Sequence, residues 1–379
     1  MLQGALRDVE AVPVTGWPFV LGYALAGVAC LALVVLGVRR AGHARRRVWR
    51  VLARCAAVAV TLLVLLSDAV VGVNAGLDYL RTVGDVLGAG PVEGIGVAQL
   101  LLRRSVPADG VVARVPIPGS LSGFDARPAE VWVPPAWFTR PRPELPVVML
   151  LHGTPGRPAD WVDSGGAAAT ADAWARTHDG VAPVLVMPDI NGDYLTDSEC
   201  VDAPGAAVET YLTRDVPRVV TRLLDTRPPG RDWAVAGLSE GGTCAVMLAL
   251  RHPDLFGTFG DYGGLIGPRT GDDNGGVDAT VAGLFAGSVR RFDTHEPADL
   301  LRHRRYPELT GWFEAGGDDT APAAAARTLS ALATRAGIAS TLRIVPGGGH
   351  DFDVFATALT DSFPTIAARV SGPPAEPDG

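Results

Sequence analysis

The chain has 379 residues, of which 47% are hydrophobic, and its formal net charge is −8 at pH 7. This length is sufficient for one large α/β domain with additional segments, and the acidic balance excludes a nucleic-acid-binding surface built from basic patches. The mean hydropathy of +0.21 is high for a wholly soluble protein, and the excess of apolar residues lies near the N-terminus.

Two apolar segments predict transmembrane helices. Residues 17–38 contain no charged side chain, and as a helix they are long enough to cross a hydrocarbon core of ~30 Å. Residues 51–73 form a second apolar run, with Arg54 near its start and Asp68 near its end. Arg54 can extend its guanidinium group to the membrane surface, and Asp68 is expected near the opposite surface or against the first helix.

The charges around these segments predict their orientation. The stretch 39–54 holds seven arginines and no acidic residue, whereas residues 1–16 hold one arginine and two acidic residues. Because arginine-rich loops tend to remain in the cytoplasm, the loop 39–50 is expected there. The tail 1–16 and everything after residue 73 are then extracytoplasmic, which predicts a two-pass protein of the plasma membrane.

Two other interpretations of this region are open. The arginines, the second apolar run and the small residues at 73–75 resemble a signal peptide with its cleavage site. The other interpretation is a pair of buried helices in a soluble protein, although apolar runs that flank an arginine cluster rarely form a core.

The remaining chain is predicted to contain a spacer at 74–107, a folded domain at 108–370 and a disordered tail at 371–379, which is rich in proline, glycine and acidic residues. Within the domain, continuous apolar runs suit buried parallel strands and alternate with helical segments. Strands are predicted at 130–135, 145–153, 182–189, 232–237, 311–317 and 340–348, and helices at 208–224, 240–253 and 321–336. This alternation predicts an α/β fold, in which helices cover both faces of a mostly parallel sheet and ligands bind at the carboxyl ends of the strands.

A serine lies between glycines where a predicted strand meets a predicted helix, in Gly237-Leu238-Ser239-Glu240-Gly241. This is the context of a nucleophile elbow, a sharp turn in which larger residues at the glycine positions would collide with neighbouring elements. Backbone amides at the helix N-terminus would favour a developing negative charge. The alternative is a glycine-rich turn in which the serine caps the helix.

A serine nucleophile needs an imidazole to remove its proton and a carboxylate to orient that imidazole, and after an elbow the chain order is serine, acid, histidine. The histidines after Ser239 are His252, His295, His303 and His350. His252 lies at a helix end and suits a capping role, while His295 and His303 lie in charged segments that predict exposed positions. His350 follows the last strand in a glycine-rich turn and is the predicted base.

The acid is expected after the preceding strand, where the sequence offers Glu314, Asp318 and Asp319. Glu314 falls within the strand, so Asp319 is favoured and Asp318 is the alternative. An acyl-transfer site also needs two backbone amides that bind the oxyanion. These are predicted at Glu240, directly after the serine, and at Thr154, in the loop after the strand that ends near residue 151.

Other polar residues are expected at the same edge of the sheet. His152 is predicted to brace its loop through hydrogen bonds, and Trp161, Asp189 and Asn191 either line a substrate pocket or have structural roles. The sequence contains no metal-ligand spacing, phosphate-binding loop or dinucleotide fingerprint, so neither a metal nor a cofactor is expected.

The four cysteines fall into two pairs. Cys30 and Cys55 lie in the apolar runs, as small residues that face the membrane. Cys200 and Cys244 each follow a strand that ends at the same edge of the sheet, and the predicted topology puts both in an oxidising compartment. They are predicted to form a disulfide, and the alternative is two buried thiols.

Four motifs together resemble one family of α/β-hydrolases: LLHGTPGRPADWVDSGG, GLSEGG, FEAGGDD and GGGHDF. They look like the esterase family that includes feruloyl esterases, enterochelin-type esterases and the mycolyltransferases of actinobacterial cell envelopes, and the similarity spans about residues 108–368. The resemblance implies an α/β-hydrolase fold, a triad of Ser239, Asp319 and His350, and oxyanion amides at Thr154 and Glu240. The sequence departs from the family pattern where Glu240 replaces an apolar residue and where Phe352 replaces a common tryptophan.

Three functions follow from this sequence. The first is a membrane-anchored serine esterase that hydrolyses a carboxylic ester outside the cell membrane. The second is a mycolyltransferase-like enzyme, in which a sugar or glycolipid hydroxyl replaces water. The third is a non-catalytic module of the cell envelope. An ester, lipid or glycolipid is the expected substrate, and no protein partner is required.

Overall fold

Two compact units make up the protein, and the chain passes from one to the other near residue 91. The computed structural model describes residues 14, 17–41, 47–77, 94–271 and 273–372. The predicted N-terminal tail except Val14, the centre of the arginine-rich loop, much of the predicted spacer and the end of the chain lie outside the described residues.

Two long apolar helices form the first unit, α1 (Trp17–Ala41) and α2 (Arg47–Leu77). Their most apolar parts, Trp17–Arg39 and Arg54–Ala75, have mean hydropathies of 2.6 and 2.3. With 23 and 22 residues, each part is long enough to cross a hydrocarbon core of ~30 Å.

The two helices pack against each other at Gly27. A Cβ atom added to Gly27 would lie 2.9 Å from Asp68 Oδ2 and 3.2 Å from Val64 Cγ1. A residue without a side chain lets two helix backbones approach closely. Asp68 therefore lies against the first helix, which is one of the two positions that the sequence predicts for it.

A nine-stranded sheet forms the centre of the second unit. The strands of this unit are β1 (Ile95–Gly96), β2 (Val111–Val115), β3 (Ala129–Val133), β4 (Val147–Leu151), β5 (Val184–Met187), β6 (Asp202–Ala203), β7 (Ala206–Ala207), β8 (Gly230–Leu238), β9 (Phe256–Tyr262), β10 (Thr310–Gly316) and β11 (Ala339–Val345). The order in the sheet is β1-β2-β3-β5-β4-β8-β9-β10-β11, and β6 and β7 form a separate hairpin. Only β3 runs antiparallel to its neighbours, β2 and β5, so the predicted mostly parallel sheet is confirmed.

Helices connect the strands. They are α3 (Val97–Leu102), α4 (Asp160–Asp163), α5 (Ala167–Arg176), α6 (Val208–Thr210), α7 (Val216–Leu224), α8 (Glu240–Arg251), α9 (Val277–Leu284), α10 (Val289–Asp293), α11 (Pro297–His303), α12 (Thr320–Arg335) and α13 (Phe352–Val370). A π-helical turn, Tyr211–Asp215, joins α6 to α7, so the predicted helix over 208–224 is continuous but irregular. Pro217 is the second residue of α7 and directly follows this π-helical turn and Val216.

Burial on both faces explains the apolar runs of the sequence. Every residue of β4 and β5 is buried, and so is every residue of β8 from Trp233 onward. Helix α8 packs on β8 and β9, α12 packs on β10 and β11, and α13 packs on β8, β9 and β10. Strands covered in this way carry apolar residues continuously rather than in alternation.

Two parts of the sheet differ from the sequence-based expectation. Residues 94–102 fall in the predicted spacer, yet β1 pairs with β2 and α3 follows directly, so the sheet begins before residue 108. Strand β9 was not predicted because its sequence, FGTFGDY, contains two glycines and an aspartate, which have low strand propensity. It is nevertheless buried along its whole length, because β8 and β10 flank it.

Candidate active site

Ser239 lies on a sharp turn between β8 and α8. Its backbone φ of 54° and ψ of −123° form a combination that residues other than glycine rarely adopt. A Cβ atom on Gly237 would collide with the carbonyl oxygen of Gly241, and one on Gly241 would collide with the carbonyl oxygens of Leu151 and His152. Both glycines are therefore required by the close approach of α8 to β8 and β4, as expected for an elbow.

His350 forms a hydrogen-bonded line with Ser239 and Asp319. His350 Nε2 lies 2.9 Å from Ser239 Oγ, and His350 Nδ1 lies 2.5 Å from Asp319 Oδ2. The Asp318 side chain is exposed, and its backbone N–H donates to the carbonyl oxygen of Gly348. When Nδ1–H donates to Asp319, Nε2 is free to accept the serine proton. The arrangement is that of a nucleophile, a general base and an orienting acid.

Three separate strand ends bring these side chains together. Ser239 follows β8, Asp319 follows β10 and precedes α12, and His350 lies in the turn between β11 and α13. The ring of Phe355 meets the His350 ring edge to face, with 5.1 Å between the centroids. The His350 side chain is 39% exposed and that of Asp319 is 15% exposed, so the base faces solvent while the acid is shielded.

Two backbone amides lie next to Ser239. Gly153 is in direct contact with it, since a Cβ atom added to Gly153 would lie 3.0 Å from Ser239 Cβ, and Thr154 follows. Glu240 is the first residue of α8. No described residue accepts a hydrogen bond from the N–H of Thr154 or of Glu240. The absence of a described acceptor is what the predicted role of these two amides as oxyanion donors requires.

A buried network braces the loop that carries Thr154. His152 is fully buried, with Nδ1 2.8 Å from the carbonyl oxygen of Gly153 and Nε2 3.2 Å from Asp189 Oδ1. Arg127 Nη2 donates to the same Asp189 oxygen at 2.6 Å. Burial raises the pKa of Asp189, but His152 and Arg127 outweigh this effect and hold the pKa well below its usual range.

The residues suggested as pocket-lining are buried. Trp161 and Asp189 have no exposed surface, and Asn191 is 4% exposed. Trp161 Nε1 donates to the carbonyl oxygen of Leu151 at 2.9 Å, and Asn191 Nδ2 donates to Glu240 Oε2 at 2.8 Å. These side chains hold protein groups in place and do not line an open pocket in this structure.

A disulfide joins Cys200 to Cys244. Cys200 lies in the loop after β5, and Cys244 lies in the second turn of α8. The bond therefore ties that loop to the helix that begins directly after Ser239. Within the described part of the chain, the one cluster with metal-ligand spacing consists of Cys200, Cys244 and Glu240, and two sulfurs that are bonded to each other do not serve as thiolate ligands.

The prediction that His295 is exposed is wrong. The residue is 5% exposed, and its Nε2 lies 3.0 Å from Glu209 Oε2. His252 Nε2 and Arg251 Nε each lie 2.7 Å from Glu209 Oε1. Burial raises the pKa of Glu209, but these three basic neighbours outweigh it and lower the pKa. His295 and Glu209 are 86 residues apart in the sequence, so local charge gave no signal of their contact. His303 is exposed, as predicted.

Residues 125–366 match the family model described as "Putative esterase". The chain belongs to this esterase family. The match covers the serine turn, the loop of Thr154 and the strand ends that carry Asp319 and His350.

Comparisons with individual proteins agree with this assignment. An uncharacterized protein of Corynebacterium glutamicum is 37% identical to this esterase over 270 residues, which are 69% of the chain and 62% of that protein. The diacylglycerol acyltransferase/mycolyltransferase Ag85A of Mycobacterium ulcerans is 32% identical over 94 residues, which are 24% of the chain and 26% of that protein. The chain thus spans less than two thirds of the length of these curated relatives.

A solved structure of a ferulic acid esterase has the same fold. It superposes with a TM-score of 0.54 at 20% sequence identity and covers 64% of this chain and 92% of its own. The predicted α/β-hydrolase fold is confirmed by this similarity, which at such low identity concerns the fold alone.

Asp261 lies near the end of β9, beside α8. It is a buried acid that the sequence analysis did not identify. Its Oδ1 accepts a hydrogen bond from Gly264 N–H at 2.8 Å, and no described residue bonds to its Oδ2. A Cβ atom on Gly242 would lie 2.6 Å from Oδ1, so the carboxyl group packs against the first turn of α8. Burial raises the pKa of Asp261 to about 7.

This raised pKa predicts a pH dependence of stability. An aspartate in an unfolded chain has a pKa of about 3.9, so the folded protein binds the Asp261 proton more tightly than the unfolded chain does. The free energy of unfolding should therefore fall as pH rises from about 4 to about 7. Asp261→Asn cannot lose this proton, so its stability relative to the parent should improve over the same range by at most about 1.4 kcal/mol per pH unit. Urea unfolding of the full chain in detergent at several pH values measures the difference, and parallel profiles would contradict the assignment.

Proposed function

We propose that the protein is a serine esterase that hydrolyses a carboxylic ester through an acyl-enzyme on Ser239. The observation that carries this proposal is the hydrogen-bonded line from Ser239 through His350 to Asp319. Membership in the esterase family supports the same chemistry. A non-catalytic role has less support, because a spacer or scaffold does not require these three groups in line, nor two amides that bond to none of the described residues.

In the proposed acylation step, Ser239 Oγ attacks the carbonyl carbon of the ester while His350 Nε2 accepts the hydroxyl proton. The carboxylate of Asp319 stabilises the imidazolium that forms. The carbonyl oxygen becomes an oxyanion and accepts hydrogen bonds from the N–H groups of Thr154 and Glu240. As the tetrahedral intermediate collapses, the bond to the alcohol oxygen breaks and His350 gives its proton to the departing alcohol.

Deacylation repeats these steps with water. His350 Nε2 removes a proton from a water molecule, whose oxygen attacks the acyl carbon, and the oxyanion returns to the same two amides. Collapse of this second intermediate breaks the bond to Ser239 Oγ, which regains its proton from His350. The products are the free acid and the resting enzyme, and every proton removed is returned.

Acyl transfer is a second candidate function. The similarity to a protein named as a diacylglycerol acyltransferase/mycolyltransferase favours it. A hydroxyl group of a sugar or glycolipid would then take the place of water in deacylation, and each residue would keep its role. In both cases the substrate class is an ester, with a lipid or glycolipid as one form of it.

We also infer that α1 and α2 cross the plasma membrane and that the second unit is extracytoplasmic. The length and hydropathy of Trp17–Arg39 and Arg54–Ala75 support the spans. The arginines between them support a cytoplasmic loop, because moving each arginine to the bilayer centre costs roughly 2.5–3.5 kcal/mol. The Cys200–Cys244 disulfide supports an oxidising compartment for the second unit.

An active-site probe and two aspartate variants test the nucleophile and its acid. A fluorophosphonate probe should label the wild-type protein, and Ser239→Ala should abolish labelling while circular dichroism stays unchanged. Asp319→Asn should lower ester turnover by roughly 10²- to 10⁴-fold, because the amide offers the imidazole the wrong hydrogen-bonding partner. Asp318→Asn is the matched control. Equal labelling of the Ser239 variant, or a larger loss in the Asp318 variant, would reject the assignment.

The acceptor of the acyl group separates hydrolysis from transfer. The purified full chain is incubated with acyl esters of increasing chain length, with and without trehalose as a sugar acceptor, and the products are identified by mass spectrometry. We expect free acid at a rate that the sugar does not change. Acylated trehalose as the main product would instead select the transferase function.

Labelling of introduced cysteines tests the topology. In a background with Cys30 and Cys55 replaced by alanine, Asp378→Cys should react with a membrane-impermeant maleimide in intact cells, and Ala44→Cys should not. Permeabilised cells are the control, in which both positions should react. Reaction at position 44 with protection at position 378 would reverse the proposed orientation.

A further inference from the structure

Glu240 has a buried carboxylate directly after the proposed nucleophile. The residue is 7% exposed and its backbone N–H is one of the two proposed oxyanion donors. A buried carboxylate is costly unless several hydrogen bonds satisfy it, whereas an apolar side chain at the same position needs none. The contacts of this carboxylate therefore show what it holds in place.

One carboxylate oxygen holds the side chain of Thr154, the residue that carries the other proposed donor. Glu240 Oε2 accepts a hydrogen bond from the Thr154 hydroxyl group and another from Asn191 Nδ2, which lies at 2.8 Å. Asn191 Nδ2 also lies 2.7 Å from Thr154 Oγ1, and Thr154 Oγ1 lies 2.9 Å from the carbonyl oxygen of Thr196. The loop of Thr154 is thus bonded to α8 and to the loop after β5 at a single point.

The other carboxylate oxygen binds the backbone of the loop after β5. Glu240 Oε1 accepts hydrogen bonds from Ser198 N–H at 3.1 Å and from Glu199 N–H at 3.0 Å. Glu199 and Cys200 both have positive φ angles, 49° and 51°, which are unfavourable for residues other than glycine. The Glu240 contacts and the disulfide to Cys244 attach this strained backbone to α8 at two points.

From these contacts we propose that the Glu240 carboxylate is a positioning residue that sets the separation of the two oxyanion amides. The side chain of Glu240 bonds the side chain of Thr154, so the backbone N–H groups of the same two residues are held at a fixed distance. Displacement of a catalytic group by about 1 Å can lower the rate by roughly 10²-fold. This inference rests on the proposed function, because it concerns the stabilisation of the same acyl-transfer intermediate.

A glutamine at this position cannot satisfy all the partners of the glutamate. Its oxygen can accept from one side, but its amide group would then face either the backbone donors of Ser198 and Glu199 or the amide donor of Asn191. Glu240→Gln nearly preserves the side-chain volume, replaces one acceptor oxygen with a donor NH₂ group and removes the negative charge. Thr154→Val removes the hydroxyl group from the other end of the bond and leaves the backbone N–H in place.

A double-mutant cycle tests the proposal in the full-length protein. Glu240→Gln and Thr154→Val should each lower kcat for a short-chain ester, and the rate of fluorophosphonate labelling, by roughly 10- to 100-fold, with KM changed less than about threefold. The double variant should be no more than about threefold slower than the slower single variant, because both changes break the same bond. If the two single-variant losses of kcat multiply in the double variant, the two side chains do not act through a shared contact and the proposal is wrong.

Glu130→Gln is the matched control, since Glu130 on β3 is also a buried glutamate and its described hydrogen bond goes to Arg114 rather than to Thr154 or the loop after β5. It should keep kcat within about threefold of the parent. If Glu240→Gln lowers only the melting temperature, or if Glu130→Gln lowers kcat equally, the positioning role is wrong. If Glu240→Gln does not fold, Thr154→Val alone decides, and an unchanged kcat overturns the proposal. Failure of the wild-type protein to label at all would reject the proposed function instead.

Discussion

The close approach of α8 to β4 and β8 is the constraint on which the site depends. Glycines at 237 and 241 are required because a side chain at either position would meet a backbone carbonyl oxygen. This contact forces Ser239 into its unusual backbone conformation and brings Gly153 against the serine. Two segments that are far apart in the sequence thereby meet at the serine, whose side chain is hydrogen-bonded to His350. The strain at one residue is balanced by the packing of a buried helix on two buried strands.

Four buried acids of the second unit differ in the hydrogen-bond partners of their carboxyl groups. Asp189 has an arginine and a histidine, Glu209 has two histidines and an arginine, and Glu240 has backbone and side-chain donors from two loops. Asp261 accepts a backbone N–H on one oxygen only, and accordingly its pKa is raised. Burial raises the pKa of each of these four acids. Basic neighbours outweigh burial only at Asp189 and Glu209, whose pKa values are lowered, while those of Glu240 and Asp261 are raised. The hydrogen-bonded carboxylates hold loops in place, as polar networks do when all their members are satisfied.

The loop after β5 is attached to α8 by two chemically different kinds of bond, a disulfide and hydrogen bonds. The disulfide fixes Cys200, and the Glu240 carboxylate fixes the backbone at Ser198 and Glu199. The proposed extracytoplasmic location favours the disulfide, because an oxidising compartment preserves it. The covalent bond limits how far the loop can move, and in our proposal the Glu240 carboxylate fixes the position of the loop beside Thr154. Cys244 and Glu240, four residues apart on α8, thus have different effects on the same loop.

The sequence alone was sufficient for the two apolar helices, the mostly parallel sheet and the serine turn, because each depends on local composition, on periodicity or on glycines at short spacing. It also limited the acid to a few residues after one strand. Only the tertiary structure decided that Asp319 rather than Asp318 faces His350, that His295 is buried against Glu209, and that Glu240 joins the loops beside the serine. These contacts link residues that are tens of residues apart, and their partners are chosen by the packing of whole elements. A local pattern carries no information about such partners, because the same short segment can meet different neighbours in different folds.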